Sequence, residues 1–227
     1  MPEIAAEELT GQTERHLVPC WSGGLVHRQA LGPLQQLREM ARAAGFELAI
    51  ASSFRSYERQ LLIWRQKVAG ERQLISAAGA VLDPSQLTDA LKLEAILRWS
   101  ALPGLSRHHW GTDFDVYDAA AVNANYRLQL TEAEYGSHGP FAAFSRWLGE
   151  RIARGECGGF FRPYDRDRGG VAPEPWHISY RPVADTYAAG LDFQLFERLL
   201  QSGDWPLSAE IGCRAEEIFQ RYVLNGQ

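Results

Sequence analysis

Three cysteines in 227 residues, Cys20, Cys157 and Cys213, are too few and too widely spaced for a disulfide framework, and with no CxxC pair a cysteine-ligated zinc site is not expected. Scattered thiols of this kind fit a reducing compartment. Long apolar runs are also missing: no stretch approaches the ~20 residues of a membrane span. The opening MPEIAAEELTGQTERHLVPC carries early acids and no apolar core, so it reads as neither a secretory signal nor an anchor. The chain is therefore expected in the cytoplasm, away from membranes. Positive charge is in short supply too. A net charge of -5 and a pI near 5.7 argue against nucleic acid, because a duplex binder presents a basic patch. Arg162, Arg166 and Arg168 form a short cluster mixed with Asp, which reads as a solvated loop. There is no repeat and no low-complexity segment, and the length suits one domain with a buried core, acting as a monomer.

What the chain has is an ordinary globular composition, 45% hydrophobic, with aromatics at 11% that suffice for a walled pocket as well as a core. Residues 1–27 read as an irregular lead-in. From Pro33, Leu34, Leu37, Ala41 and Ala44 recur at helical spacing up to Gly45. Residues 46–52 read as a buried strand, 56–68 as a helix with Tyr57, Leu61, Trp64 and Val68 on its apolar stripe, 69–85 as a loop and 87–99 as a helix. Residues 112–117 alternate, putting Asp113, Asp115 and Tyr117 on one side of a strand and Phe114 and Val116 on the other. A helix over 141–153, strands over 160–164 and 176–180, and two or three tail helices from Asp185, broken at Gly203–Pro206, complete the reading. Without regular βαβ alternation, the fold class is α+β, a small, mostly antiparallel sheet flanked by helices. Residues 28–181 are expected to form the working domain, with 182–227 a helical extension packed on it.

Chemistry concentrates in two segments, Ser106-Arg-His-His-Trp-Gly-Thr-Asp-Phe-Asp115 and Glu174-Pro-Trp-His177. Together they offer imidazoles, a carboxylate and a spare Glu, and a catalytic zinc needs three N or O ligands and one open position. Asp115 on a buried strand needs a compensating positive charge, and His177 follows Trp176, which can wall off a site. His108 and His109 are adjacent, so only one of them should be a ligand. Glu174 is either an exposed loop acid or a base that deprotonates the attacking water; the company of His177 favours the base. Arg55, between a strand and a helix, suits a bidentate clamp on a carboxylate, and Gln60, a turn later, could add an amide bond. His16, His27 and His138 have no partners at metal spacing and read as structural or surface residues.

These residues resemble the VanY-like D-alanyl-D-alanine carboxypeptidases, within a wider group of zinc peptidases that includes lysostaphin-like enzymes and the hedgehog signalling domain. The matches are Phe54-Arg55-Ser56 with Gln60, then Ser106, His108, Gly111 and Asp115, then Glu174-Pro175-Trp176-His177, with Phe160 to Tyr164 where the family has an aromatic strand. They run in family order across residues 46–180. The resemblance implies one zinc ion on His108, Asp115 and His177, Glu174 as catalytic base, and Arg55, Gln60 and Ser106 holding the substrate. His109-Trp110 and Asp113 stand where small or neutral residues are common, and the tail beyond residue 181 is an addition to the core family. The implied activity is zinc-dependent removal of a terminal D-amino acid from peptidoglycan peptides. L,D specificity is favoured over D,D by the expected cytoplasmic location. A phage-type endopeptidase and a non-catalytic zinc module that binds peptide are the alternatives.

Overall fold

The computed structural model describes residues 4–225. Where an irregular lead-in is expected over residues 1–27, it has a helical turn, α1 (Ala6–Leu9), and an antiparallel ribbon of β1 (Leu17–Pro19) and β2 (Leu25–His27). Residues 1–3 of that lead-in lie outside the described part. Strands of three residues are too short to display an alternating pattern. The lead-in is bound to the rest of the chain by backbone bonds, His27 N–H to the Gly111 carbonyl at 2.7 Å and Tyr57 N–H to the Gly11 carbonyl at 3.0 Å.

α2 (Arg28–Ala43) begins at Arg28 and not at Pro33, which sits inside it. The proline costs one i→i−4 bond. Set against it are the cap, with Gln29 N–H donating to His27 Nδ1, and the buried row Ala30, Leu34, Leu37 and Ala41. β3 (Leu48–Ser52) and α3 (Tyr57–Val68) follow much as the periodicity predicts. The expected loop over 69–85 contains a second ribbon, β4 (Leu74–Ile75) with β5 (Val81–Leu82), again too short to read from a pattern. Thr88 caps α4 (Asp89–Leu97).

A 3-10 turn, Arg107–Trp110, leads into β6 (Asp113–Asp118); α5 (Glu132–Tyr135) and α6 (Ala142–Ala153) come next. β7 stops at Phe160–Phe161, short of the expected Tyr164, because Pro163 has no N–H to continue a ladder. After β8 (His177–Tyr180) the tail runs through α7 (Arg181–Ala189), α8 (Phe193–Ser202), α9 (Ser208–Cys213), α10 (Ala215–Ile218) and a π-helical turn, Phe219–Val223. Its break lies where Gly203 and Pro206 foretell, and it is pinned to α3: the Trp64 indole donates to the Pro206 carbonyl, and the Trp205 indole to the Tyr57 hydroxyl. All three cysteines are free thiols.

The architecture is α+β. Its main sheet has the order β3-β6-β8-β7, with every neighbour antiparallel. Leu48, Phe114, Val116 and Ile178 make one face and pack with α2 and α6 side chains such as Leu34, Leu37, Phe144 and Leu148. The period-2 geometry of strands then sends Asp113, Asp115, His177 and Ser179 to the opposite face. A second apolar cluster joins Trp64, Leu93 and Ile96 to Phe196, Trp205 and Ile218, so the tail helices share a core with α3 and α4.

Gly111 joins the 3-10 turn to β6 at φ +68°, and a Cβ there would lie 2.5 Å from Leu17 Cδ2 and 2.8 Å from His27 N. Gly111→Ala combines a left-handed backbone with a collision against main chain, and should destabilise by about 2–4 kcal/mol. Urea unfolding is the check; an unchanged midpoint would contradict the packing of the ribbon on this turn.

Candidate metal centre and substrate cavity

The sheet register builds the centre. Asp115 sits on the middle strand β6, opposite Ser52 on β3 and His177 on β8. His108 comes from the 3-10 turn just before β6. His108, Asp115 and His177 are all buried, and each offers a donor atom within 4.8 Å of the other two. His108 Nε2 is 3.5 Å from Asp115 Oδ2, and His177 Nδ1 is 3.5 Å from Asp115 Oδ1. Donors held ~2.0–2.1 Å from a tetrahedral ion stand about 3.3 Å apart, so these spacings suit one.

The imidazoles are oriented from behind. His108 Nδ1 lies 3.0 Å from the Ser53 carbonyl, which can only accept, so Nδ1 carries the hydrogen and Nε2 turns its lone pair toward Asp115. His177 Nε2 likewise donates to Asp113 Oδ1 at 2.9 Å, leaving Nδ1 as the inward nitrogen. Burial, with Arg55 and His177 nearby, lowers His108 well below the usual imidazole range, which keeps it neutral. Burial alone would lower His177 too, but its bonds to Asp113 and Glu174 prevail and raise it to about 10. Burial raises Asp115 to about 6. Asp115 Oδ1 has no hydrogen-bond partner although it is buried. A bare buried carboxylate oxygen beside two oriented imidazoles, in a cluster rich in acids, fits a divalent cation.

Asp113 belongs to this centre, a role not expected from the motifs. It is fully buried, accepting from Arg107 Nε (2.8 Å), Thr112 Oγ1 (2.7 Å), Ser179 Oγ (3.0 Å) and His177 Nε2. Burial would raise its carboxyl, yet Arg107 and His177 hold it well below the usual carboxylate range. The signal was available: Asp113 shares the strand face of Asp115 and lies two residues before it.

His109 is separate from the centre. It is fully buried, with Nδ1 donating to the Arg55 carbonyl at 2.5 Å and Nε2 accepting from Gly104 N–H at 3.0 Å. Burial lowers it to about 4. Arg55 N–H donates to the His108 carbonyl, so both polar groups of the Arg55 backbone are tied to this turn.

Glu174, Arg55 and Ser106 line a cavity of about 330 Å³ together with His108, Asp115 and His177. Glu174 Oε2 is 2.9 Å from His177 Nδ1, at the edge of the donor cluster. The Arg55 side chain donates to Gln60 Oε1 (2.8 Å) and Ser52 Oγ (3.2 Å). Gln60 is fully buried, and its amide nitrogen is engaged by the Ala101 carbonyl at 2.6 Å. It therefore braces Arg55 from behind and does not face a ligand, contrary to the expectation of direct contact. Tyr164 meets the His177 ring edge-on, and Trp176 closes another wall. A larger cavity, about 700 Å³, shares Arg107 with this one but is lined by Arg162, Arg168 and Arg181 and does not include His108, Asp115 or His177.

Comparison with known proteins comes to the same region. The sequence profile of the VanY family, D-alanyl-D-alanine carboxypeptidase, matches residues 24–183. An uncharacterized protein of Haemophilus influenzae is 45% identical over 104 residues, 44% of this chain and 71% of that protein. A D-alanyl-D-alanine carboxypeptidase of Enterococcus faecalis is 33% identical over 150 residues, 65% of this chain and 45% of that protein. Among solved structures, VanYB in complex with D-alanine-D-alanine aligns with TM-score 0.53 and 28% identity, covering 85% of this chain and 92% of that one. A variant of the vancomycin resistance D,D-pentapeptidase VanY in complex with Zn(II) aligns at TM-score 0.51 and 28% identity, covering 82% and 92%. The LD-carboxypeptidase LdcB, at 22% identity and TM-score 0.52 over 93% of this chain and 80% of that one, shares the fold.

Proposed function

Since the chain belongs to the VanY family of D-alanyl-D-alanine carboxypeptidases, we propose that it is a zinc-dependent carboxypeptidase that removes a terminal D-alanine from peptidoglycan peptides, cutting an L,D or a D,D bond. The observation that carries this reading is the convergence of His108, Asp115 and His177 on one point, with Glu174 beside it and Arg55 across the same cavity.

His108 Nε2, Asp115 and His177 Nδ1 would hold the zinc. Zinc bound there supplies a Lewis acid that acidifies a water and polarises the scissile carbonyl. Glu174 takes the proton from the attacking water and returns it to the leaving amine, so the peptide C–N bond is exchanged for a carboxylate and a free amine. Arg55, braced by Gln60 and Ser52, pairs with the terminal carboxylate of the substrate and so selects the last peptide bond. Ser106 lines the cavity where it can hydrogen-bond the bound peptide. Tyr164 and Trp176 keep the surroundings of the reacting groups apolar, which strengthens electrostatics there.

Zinc-loaded protein incubated with muropeptides ending in D-Ala and in D-Ala-D-Ala, read by mass spectrometry, tests the proposal. Loss of one alanine residue from either is expected, and the substrate that loses it decides the bond. Products cut within the stem, or cleavage of C-terminally amidated peptides as fast as free acids, would instead indicate an endopeptidase. Arg55→Met should lower kcat/KM for the free acid by about 10–100-fold, the equivalent of a charge-assisted bond to carboxylate. It should also erase the preference for free acid over amide; a variant that keeps that preference would leave Arg55 without its assigned role.

A further inference from the structure

The cavity holds more positive charge than a single terminal carboxylate requires. Besides Arg55, its wall includes Lys67 on α3 and Arg72 in the segment before β4. The acids lining the same cavity are Asp115, within the donor cluster, and Glu174, bonded to His177. Arg72 Nε donates to the neutral Gln66 side chain. The Lys67 ammonium makes no hydrogen bond and no ion pair among the described residues. Burial, then Arg55 and Arg72, push its ammonium down to about 8, the shift of a cation without a matching anion.

The position of Lys67 is not incidental. Gln60, Ile63 and Lys67 recur at i, i+3 and i+7, so they share one face of α3. Gln60 braces Arg55, Ile63 and Lys67 line the cavity, and the neighbouring Trp64 enters the core. A lysine on the core-facing side of a helix, crowded by two arginines and with no acid of its own, makes sense where a bound molecule brings the negative charge.

We propose that the cavity accepts a peptide with two carboxylates within its last two residues, the terminal one on Arg55 and the second on Lys67 and Arg72. The placement of the first carboxylate rests on the carboxypeptidase reading. The second can belong to the side chain of the penultimate residue or to that of the leaving residue, and the two sources are separable by peptide design.

The test is calorimetric binding to zinc-loaded Glu174→Gln protein, in which turnover is slowed by about 10²–10⁴-fold. One arm compares N-acetyl-L-Ala-X-D-Ala with X as L-2-aminopimelate or its side-chain amide. The other compares N-acetyl-L-Ala-L-Ala-Y with Y as D-Asp or D-Asn. At least tenfold tighter binding of the acid in one arm is expected, and that arm identifies the residue. Adding K67M should bring the ratio close to one, while K67R should keep most of it. Equal affinity for acid and amide in both arms, or a preference that K67M leaves intact, overturns the inference. Turnover by the wild-type chain is read separately. Protein that discriminates through Lys67 yet releases no terminal residue would sustain this inference and sink the carboxypeptidase reading.

Discussion

Glu174→Gln should reduce turnover of a D-Ala-terminated peptide by about 10²–10⁴-fold, the usual loss when a positioned general base is removed. Bound metal should stay at the wild-type level. Glu174 Oε2 lies 2.9 Å from His177 Nδ1, close enough to reach a water at the centre, yet the three-donor cluster is complete without it. The amide keeps the shape and one hydrogen bond but cannot accept a proton near neutral pH. Metal analysis of the purified variant alongside single-turnover rates separates the two effects. If Glu174→Gln lost metal together with activity, Glu174 would be a ligand; if it kept full activity, another group would be the base.

Asp113→Ala should be the most damaging substitution that leaves every proposed ligand in place. It removes the acceptor behind His177 Nε2 and the counter-charge of buried Arg107 at once. An uncompensated buried charge costs about 3–5 kcal/mol, and loss of a partner that orients a ligating histidine weakens metal binding about 10–100-fold. The double variant R107M/D113L separates these contributions. Replacing a buried ion pair with apolar side chains of similar size is often close to neutral, so stability should largely return while the metal stays weakly bound. Denaturant melts and competition with a chromogenic chelator measure the two quantities independently. Wild-type metal affinity in Asp113→Ala would show that His177 needs no support from this side.

The donor set was legible because the features that build it are periodic. Asp113 and Asp115 stand two apart on a strand whose intervening Phe114 marks the core face, and Glu174-Pro175-Trp176-His177 is compact enough for the Glu174 and His177 side chains to meet. The choice between His108 and His109 could not be read from spacing. It depends on a 3-10 turn, in which successive side chains diverge by roughly 120°, so one imidazole enters the cavity and its neighbour enters the core. The same limit hid the cavity face of α3. A stripe drawn through Tyr57, Leu61, Trp64 and Val68 follows apolar residues, whereas the face toward the cavity presents Ile63 and Lys67, the second of which a hydrophobic pattern treats as solvent-exposed. The two ribbons leave no trace in the pattern because strands of two or three residues have no period to detect, and the aromatic run over 160–164 reads longer than β7 because Pro163 lacks the N–H that a ladder needs.

The order of the main sheet also sets a timetable for assembly. Leu48 pairs with Asp118 and Asp113 with Ser179, so each of the two ladders that frame the centre closes a loop of more than sixty residues. Such distant pairings give up chain entropy before any contact is gained, and they slow folding. On a ribosome, a nascent chain that has exposed His108 and Asp115 still lacks His177, so a full donor set first exists once β8 has emerged and docked. Metal capture at the proposed centre would therefore be a late event, locking a ladder that has only just closed.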